Sequence, residues 1–424
     1  MRNRSILKKA KPSACISDGT TQWDLSLLQN AVKAWMTKLD QLHANVVAFD
    51  LPNSLEWVAL ALALFESGKV AVPLPTFFSA QQRAHAIHNS GPQWVVSETE
   101  TDQSEINPGQ TTELFRGLHL ATVTDIGTHP LPAGTALITY TSGSTGTPKG
   151  VCLDADTLTQ TATSIVETLA DLGIEKHLCV LPLTLLLENV AGLFANLLNG
   201  STIFVPPLQT IGIRGSSDVD VIELVQGIDR YAPNSIILVP ALLLGITAAA
   251  EFDLSKFESL KFVAVGGGRV AGDMLARANT QNIPVYEGYG LTECGSVVTL
   301  NTPKYQRAGT VGKLLPHVEA EVVDGELVIT TPRMLGYLGD HQPAPAQIAT
   351  GDRVEIDPEG FVTVHGRLKN LFITAYGRNI SPEWIESELQ NELAIGLALV
   401  CGEAEPVNTA LIVPRGEYGA DDIA

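Results

Sequence analysis

The chain has 424 residues, 45% hydrophobic and 17% charged, enough for a large buried core and two or three domains. Its 27 basic and 46 acidic residues give a formal net charge of −19, which argues against nucleic acid or anionic membrane as main partners, because both need positive patches. The five cysteines (Cys15, Cys152, Cys179, Cys294 and Cys401) are odd in number and form no CxxC pair, so neither a disulfide framework nor a zinc site is expected.

Reduced thiols in a cytoplasmic protein are the expectation, with Cys152 and Cys179 as core filler. The opening MRNRSILKKAKPS is basic, but no continuous apolar core follows, so it does not read as a secretory signal. NVVAFD reads as a strand, SLEWVALALALFESG as a helix, KVAVPLP as a strand, SAQQRAHAIHN as a polar helix and PQWVVS as a strand. HLCVLPL, ENVAGLFANLLNG and STIFVPP repeat strand, helix, strand. The longest apolar run, SIILVPALLLGITAAA, falls short of the roughly 20 residues of a membrane span. Pro240 splits it into a strand and a helix, and KFVAVGGG is a further strand. This alternation predicts an α/β fold, with a large N-terminal domain of mixed or parallel sheets flanked by helices.

The texture changes after about residue 309. Hairpins turning on Asp324-Gly325 and on Asp357-Pro358-Glu359-Gly360 predict a small β subdomain over about 309–366 within a core of 1–366. LFITAYGRNISPEWIESELQ then reads as strand, glycine turn and a helix with Pro382 in its first turn, opening a small α+β C-terminal domain over 367–424.

TSGSTGTPKG, residues 141–150, carries the chemistry. Its glycines let several backbone N–H groups point into one concavity, its hydroxyls add donors, and Lys149 adds charge, a combination suited to phosphate oxygens. Composition alone leaves a surface turn open. A Walker loop is excluded because Pro148 stands at its second glycine, and a nucleophile elbow because Ser142 stands two before Ser144.

The stretch resembles the phosphate loop of the adenylate-forming superfamily, which includes acyl-CoA synthetases, luciferases and peptide-synthetase adenylation domains. The resemblance implies that Thr141, Ser142, Gly143, Ser144, Thr145, Gly146, Thr147 and Lys149 close over the phosphates of ATP. Three further stretches agree in order. EGYGLTE, 287–293, resembles the second signature, which implies Tyr289 on adenine, Thr292 on phosphate and Glu293 on Mg²⁺, with Gly288 and Gly290 between them. ATGDRV resembles the third and implies Asp352 on both ribose hydroxyls. GRLKNLFITAYGRNISPEWIE resembles the fourth and implies Arg367 on the ribose and Lys369 at a hinge for the C-terminal domain. VAVGGGRV matches the family's loop between acyl group and adenine, with Gly266, Gly267 and Gly268 allowing close backbone approach. The likeness runs from about residue 45 to 390.

Three departures stand out. The family's adenylation lysine, near the end of its C-terminal domain, has no counterpart in the closing PRGEYGADDIA; truncation is the expectation, with Lys149 and Arg378 as alternative cations. In LPLTLLLENVAG, Thr184 and three leucines stand where relatives carry a gating aromatic or histidine. They are either helix core or the lining of an apolar acid pocket, and Glu188 is the one acidic residue there for a substrate amine. In VCLDADTL, Asp154 or Asp156 reads as a helix N-cap.

The resemblance implies an acid–thiol ligase that uses ATP and Mg²⁺ to turn an apolar carboxylic acid, a fatty acid first, into acyl-AMP. The acyl group then passes to a pantetheine thiol of CoA or an acyl carrier protein. A nucleotide or acyl-adenylate sensor with impaired catalysis is the alternative.

Overall fold

The computed structural model describes residues 5–98, 108–123, 127, 129–141, 148–215, 218–255, 257–340, 342, 344–375, 379–403, 405, 407–416 and 418–419. By contacts the chain forms two compact units. The first comprises Met1–Ile236, Leu291–Val297 and Pro332–Ala346, and the second Ile237–Gly290, Val298–Thr331 and Gln347–Ala424.

The first unit is built on an eight-stranded sheet. Its order is Gly336–Tyr337, Lys149–Asp154, Thr135–Thr141, Val70–Pro73, Val46–Asp50, Trp94–Ser97, Leu118–Val123 and Pro108–Phe115. The central strands are parallel because helices Leu55–Ser67 and Ala80–Ser90 make the crossovers; the outer ones are antiparallel. Ser54 caps the first helix through the Trp57 N–H, and Gly68 ends it at φ 68°. That helix is buried from Leu55 to Phe65 except at Glu56, so it runs through the core rather than over it. Ser79 and Gln82 form a reciprocal capping box on the second helix. A further parallel set joins Cys15–Ser17, Thr202–Phe204, Lys176–Leu178 and the start of Ser235–Leu238, with Gln22–Asp24 antiparallel at its edge. Asp154 is the N-cap of helix Ala155–Thr168, accepting from Thr157 N at 2.7 Å.

Two local expectations differ from the structure. The strand there is Lys176–Leu178, so only His177 and Leu178 of HLCVLPL lie in it. ENVAGLFANLLNG enters as a π-helix over Glu188–Phe194 before the α-helix Ala195–Asn199. The buried Glu188 carboxylate lies against Gly192, where a Cβ would stand 1.9 Å from Oε1, so the glycine leaves the space it occupies.

In the second unit, Phe262–Val265 and Val285–Leu291 pair in parallel, and helix Pro240–Glu251 starts at the proline that splits the apolar run. Glu319–Val323, Glu326–Thr331, Ile348–Ile356 and Val362–Arg367 form an antiparallel sheet. Its first turn needs positive φ at both central residues, met by Asp324 at 52° and Gly325 at 83°. Asp357 Oδ1 closes the later turn by accepting from the N–H groups of Glu359 and Phe361. Beyond it follow the hairpin Phe372–Ile373 with Asn379–Ile380, the helix Pro382–Leu389 and a ribbon of Ile395–Cys401 with Thr409–Pro414.

Among the described residues no helix is long and apolar enough to cross a membrane. All five cysteines are free and only Cys401 is exposed. Burial pushes the Cys152 thiol up to about 12, consistent with a packing role.

Candidate active site

In the first unit the described flanks of the glycine-rich stretch are Thr141 and Lys149, which face each other across antiparallel strands. Ser142, Gly143, Ser144, Thr145, Gly146 and Thr147 lie outside the described residues, as does Arg378. His85 Nε2 donates to the Pro148 carbonyl at 3.0 Å, and the Tyr140 hydroxyl donates to the Ala86 carbonyl at 2.9 Å, so helix Ala80–Ser90 fixes both strand ends. Thr292 and Glu293 lie in the short 3₁₀ turn Thr292–Cys294. The half-buried Glu293 carboxylate accepts from the Tyr337 hydroxyl at 2.8 Å. The Lys149 ammonium lies 5.5 Å from the centroid of the same Tyr337 ring. Lys149 and Glu293, separated by 144 positions in the numbering, thus meet one tyrosine that the motifs do not contain.

In the second unit, strand alternation puts Glu287 and Tyr289 on one face of Val285–Leu291. The Tyr289 hydroxyl donates to Asp352 Oδ2 at 2.6 Å, and Arg367 Nε lies 3.1 Å from Asp352 Oδ1. Asp352 and Arg367 are direct cross-strand partners, and Arg367 also donates to the Thr350 carbonyl. Burial raises the Asp352 pKa, against the Tyr289 hydrogen bond and the Arg367 charge, which lower it. Burial, and then the Asp352 charge, raise that of Tyr289, so its phenol stays a donor. A Cβ at Gly288 would stand 3.1 Å from Leu300 Cδ1 and 3.2 Å from the Thr299 carbonyl oxygen, so a larger residue would need both neighbours to give by a few tenths of an ångström. Gly267, at φ 78°, and Gly268 form an exposed turn after Phe262–Val265, beside Val239 and Pro240. Gly290 is exposed, and Lys369 sits exposed in the turn that follows Val362–Arg367.

Glu287 was not singled out by its motif, yet burial pushes its carboxyl from the ordinary 4.5 up to about 7, opposed by the Arg269 charge. The native state therefore holds this proton more tightly than the unfolded chain. The associated stability is complete below pH 4.5 and is lost as pH rises through 7, about 3 kcal/mol in all. Glu287→Gln removes the titration. Its stability relative to the unsubstituted protein is expected to rise by about that amount between pH 4.5 and 8 in urea unfolding. A difference independent of pH would refute the assignment.

The Thr184–Glu188 segment resolves one expectation. Glu188 is fully buried and its carboxylate is committed, Oε1 to His177 Nε2 at 2.9 Å and Oε2 to the Leu181 N–H at 3.0 Å. His177 Nδ1 lies 2.9 Å from Ser235 Oγ, and Cys179 completes the buried cluster. With these partners in place, Glu188 is an internal anchor and not a counter-ion for a substrate amine. Asn53 clamps the same segment through the Leu181 carbonyl and the Leu183 N–H. Leu186 packs in the core, while Thr184 Oγ1 is buried without a partner among the described residues.

Residues 20–338 match the family described as AMP-binding enzyme. The chain belongs to the AMP-binding enzyme family. This AMP-binding enzyme is 27% identical to a 2-succinylbenzoate–CoA ligase of Enterococcus faecalis over 428 residues, 95% of this chain and 83% of the relative. It is also 27% identical to a long-chain-fatty-acid–CoA ligase of Mycobacterium bovis, over 88% of this chain and 73% of the relative. Among solved structures, the o-succinylbenzoate CoA synthetase of Bacillus subtilis in complex with its acyl-adenylate intermediate superposes with a TM-score of 0.76 at 25% identity, covering 99% of this chain and 89% of that one. The α/β fold expected from the sequence is thus the fold found. The expected enzyme class, an AMP-forming acid–CoA ligase, is the class to which these relatives belong.

Proposed function

We propose that this AMP-binding enzyme joins an apolar carboxylic acid to CoA through an acyl-AMP intermediate. A carboxylate oxygen attacks the α-phosphorus of ATP and pyrophosphate leaves; the CoA thiol then attacks the acyl carbonyl and AMP leaves. The family match, with all four motifs in order, carries the reading.

The residues divide the work by chemistry. An ionised carboxylate offers about four acceptor positions, so Asp352 can hold Tyr289 and Arg367 and still accept from two vicinal ribose hydroxyls. Tyr289 offers its ring to adenine. Lys149, Thr141 and Thr292 supply charge and hydroxyls for phosphate oxygens, together with the hydroxyls and glycines of 142–147. Mg²⁺ is a hard cation that takes carboxylate and phosphate oxygens, and the half-buried Glu293 carboxylate, held at one oxygen by Tyr337, suits it. When bound there, the metal would neutralise charge on the phosphates. Lys369, in the turn after Arg367, is the proposed hinge of a C-terminal domain over 367–424. A reducing cytoplasm fits the free, exposed Cys401.

The acid is the finer question. The leucine-rich segment at 185–187 favours a fatty acid, whereas the Enterococcus and Bacillus relatives are named for an aromatic one. A thermal-shift panel of non-hydrolysable acyl-adenylate analogues, from acetyl to palmitoyl with benzoyl and succinylbenzoyl, separates them. A ligand at 100 times its Kd should add about 2.7 kcal/mol of stability. One acyl class is expected to stand out. A shift with ATP and Mg²⁺ but with no acyl analogue would instead favour a nucleotide sensor.

A further inference from the structure

We propose that Tyr337 is a positioning residue for the phosphate end of the site: its hydroxyl orients the Glu293 carboxylate while its ring face seats the Lys149 ammonium. The inference rests on the reading above, in which Glu293 serves Mg²⁺ and Lys149 serves phosphate.

The backbone around Tyr337 is pinned on both sides. Tyr337 pairs with Val151 at the edge of the large sheet, and the N–H groups of Leu335 and Leu338 donate to the carbonyls of Cys152 and Gly150. Three residues earlier, the Met334 N–H donates to the Glu293 carbonyl at 2.6 Å. Segment 334–338 therefore stitches the turn that carries Glu293 to the strand that starts at Lys149. Gly336, at φ 139°, adopts a backbone conformation that L side chains rarely take, which fixes the path of the chain just before the tyrosine.

The side-chain chemistry matches this frame. A phenol donates one hydrogen bond and engages one carboxylate oxygen, Oε1, at 2.8 Å. It brings no charge of its own, so it turns the carboxylate without neutralising it, as a lysine or arginine in its place would. The ring adds a face for Lys149 at 5.5 Å, a contact that holds an ammonium while leaving its N–H donors available. One residue thus orients an anion meant for a metal and a cation meant for phosphate. Supporting groups of this kind, which hold the groups that touch metal or substrate, commonly govern metal affinity.

Three variants separate the parts. Tyr337→Phe removes the hydroxyl and keeps the ring, Tyr337→Leu removes both, and Glu293→Gln tests the underlying reading. The measurements are calorimetric binding of ATP with and without Mg²⁺, together with KM and kcat for ATP at several Mg²⁺ concentrations. Tyr337→Phe is expected to raise the half-saturating Mg²⁺ concentration about tenfold, as for loss of a hydrogen bond to a charged group, with metal-free ATP binding within about twofold. Tyr337→Leu should weaken metal-free ATP binding as well. If Glu293→Gln shifts the Mg²⁺ dependence and Tyr337→Phe does not, the positioning role is overturned while the site stands. If Glu293→Gln leaves it unchanged, the reading of Glu293 itself fails. Equal weakening of ATP binding with and without Mg²⁺ by Tyr337→Phe would mark a structural effect and also overturn the proposal.

Discussion

Asp352→Asn is expected to weaken ATP binding about 100-fold, close to 3 kcal/mol, with a smaller change in kcat at saturating ATP. Asp352 is 4% exposed and lies between the Tyr289 hydroxyl and the Arg367 guanidinium, both of them donors. A carboxamide matches the carboxylate in shape but keeps one acceptor oxygen and adds a donor. That NH₂ must face Tyr289, Arg367 or the ribose: against Arg367 it sets donor against donor, and against a hydroxyl it forces that group to turn from donor to acceptor. The Arg367 side chain is 54% exposed, so water can take over its lost ion pair and the fold should survive. A KM for ATP within twofold of the unsubstituted enzyme would remove Asp352 from the nucleotide site.

The largest stability loss is expected at Glu188. Glu188→Ala leaves His177 Nε2 and the Leu181 N–H buried without partners, and breaking a buried pair of this kind costs about 3–5 kcal/mol. Gly192→Ala attacks the same anchor from the other side. Its Cβ would stand 1.9 Å from Glu188 Oε1 and 2.9 Å from His177 Nε2, so the carboxylate must leave its partners or the π-helical turn must shift. Urea unfolding followed by a probe in the first unit should show both variants destabilised, with Glu188→Gln less so because it retains one acceptor. A loss below about 1 kcal/mol for Glu188→Ala would show that the network contributes little.

These two sites differ in how far they could be foreseen. Asp352 stands in a short motif whose turn is local, with Gly351 at φ 74°; the pairing that starts at the Asp357 turn shifts by one residue between Arg353 and Val354, and that shift brings Arg367 opposite Asp352. In the sequence Glu188 stands out only as an acidic residue that could serve a substrate amine, in a segment where none is otherwise evident. Its side-chain partner His177 lies 11 positions back and is held in turn by Ser235, 47 positions beyond Glu188, and no periodicity links the three. The wide turn at Glu188–Phe194 was equally hidden, because seven residues are too few for its i→i+5 period to stand out in the apolar pattern.

What the sequence by itself determined here is what adjacent residues impose on one another. Pro240 divides a strand from a helix, Ser54, Ser79 and Asp154 cap helices, and Asp324-Gly325 closes a hairpin. The four signatures point to nucleotide chemistry through their resemblance, in order, to those of the adenylate-forming superfamily. Only the tertiary structure decided that Tyr337 joins Lys149 to Glu293, that Glu188 anchors the core, and that Glu287 is buried near Arg269 with its carboxyl raised to about 7. Each of these depends on burial and on partners far along the chain, and both arise only when the sheets bring distant segments within hydrogen-bonding distance.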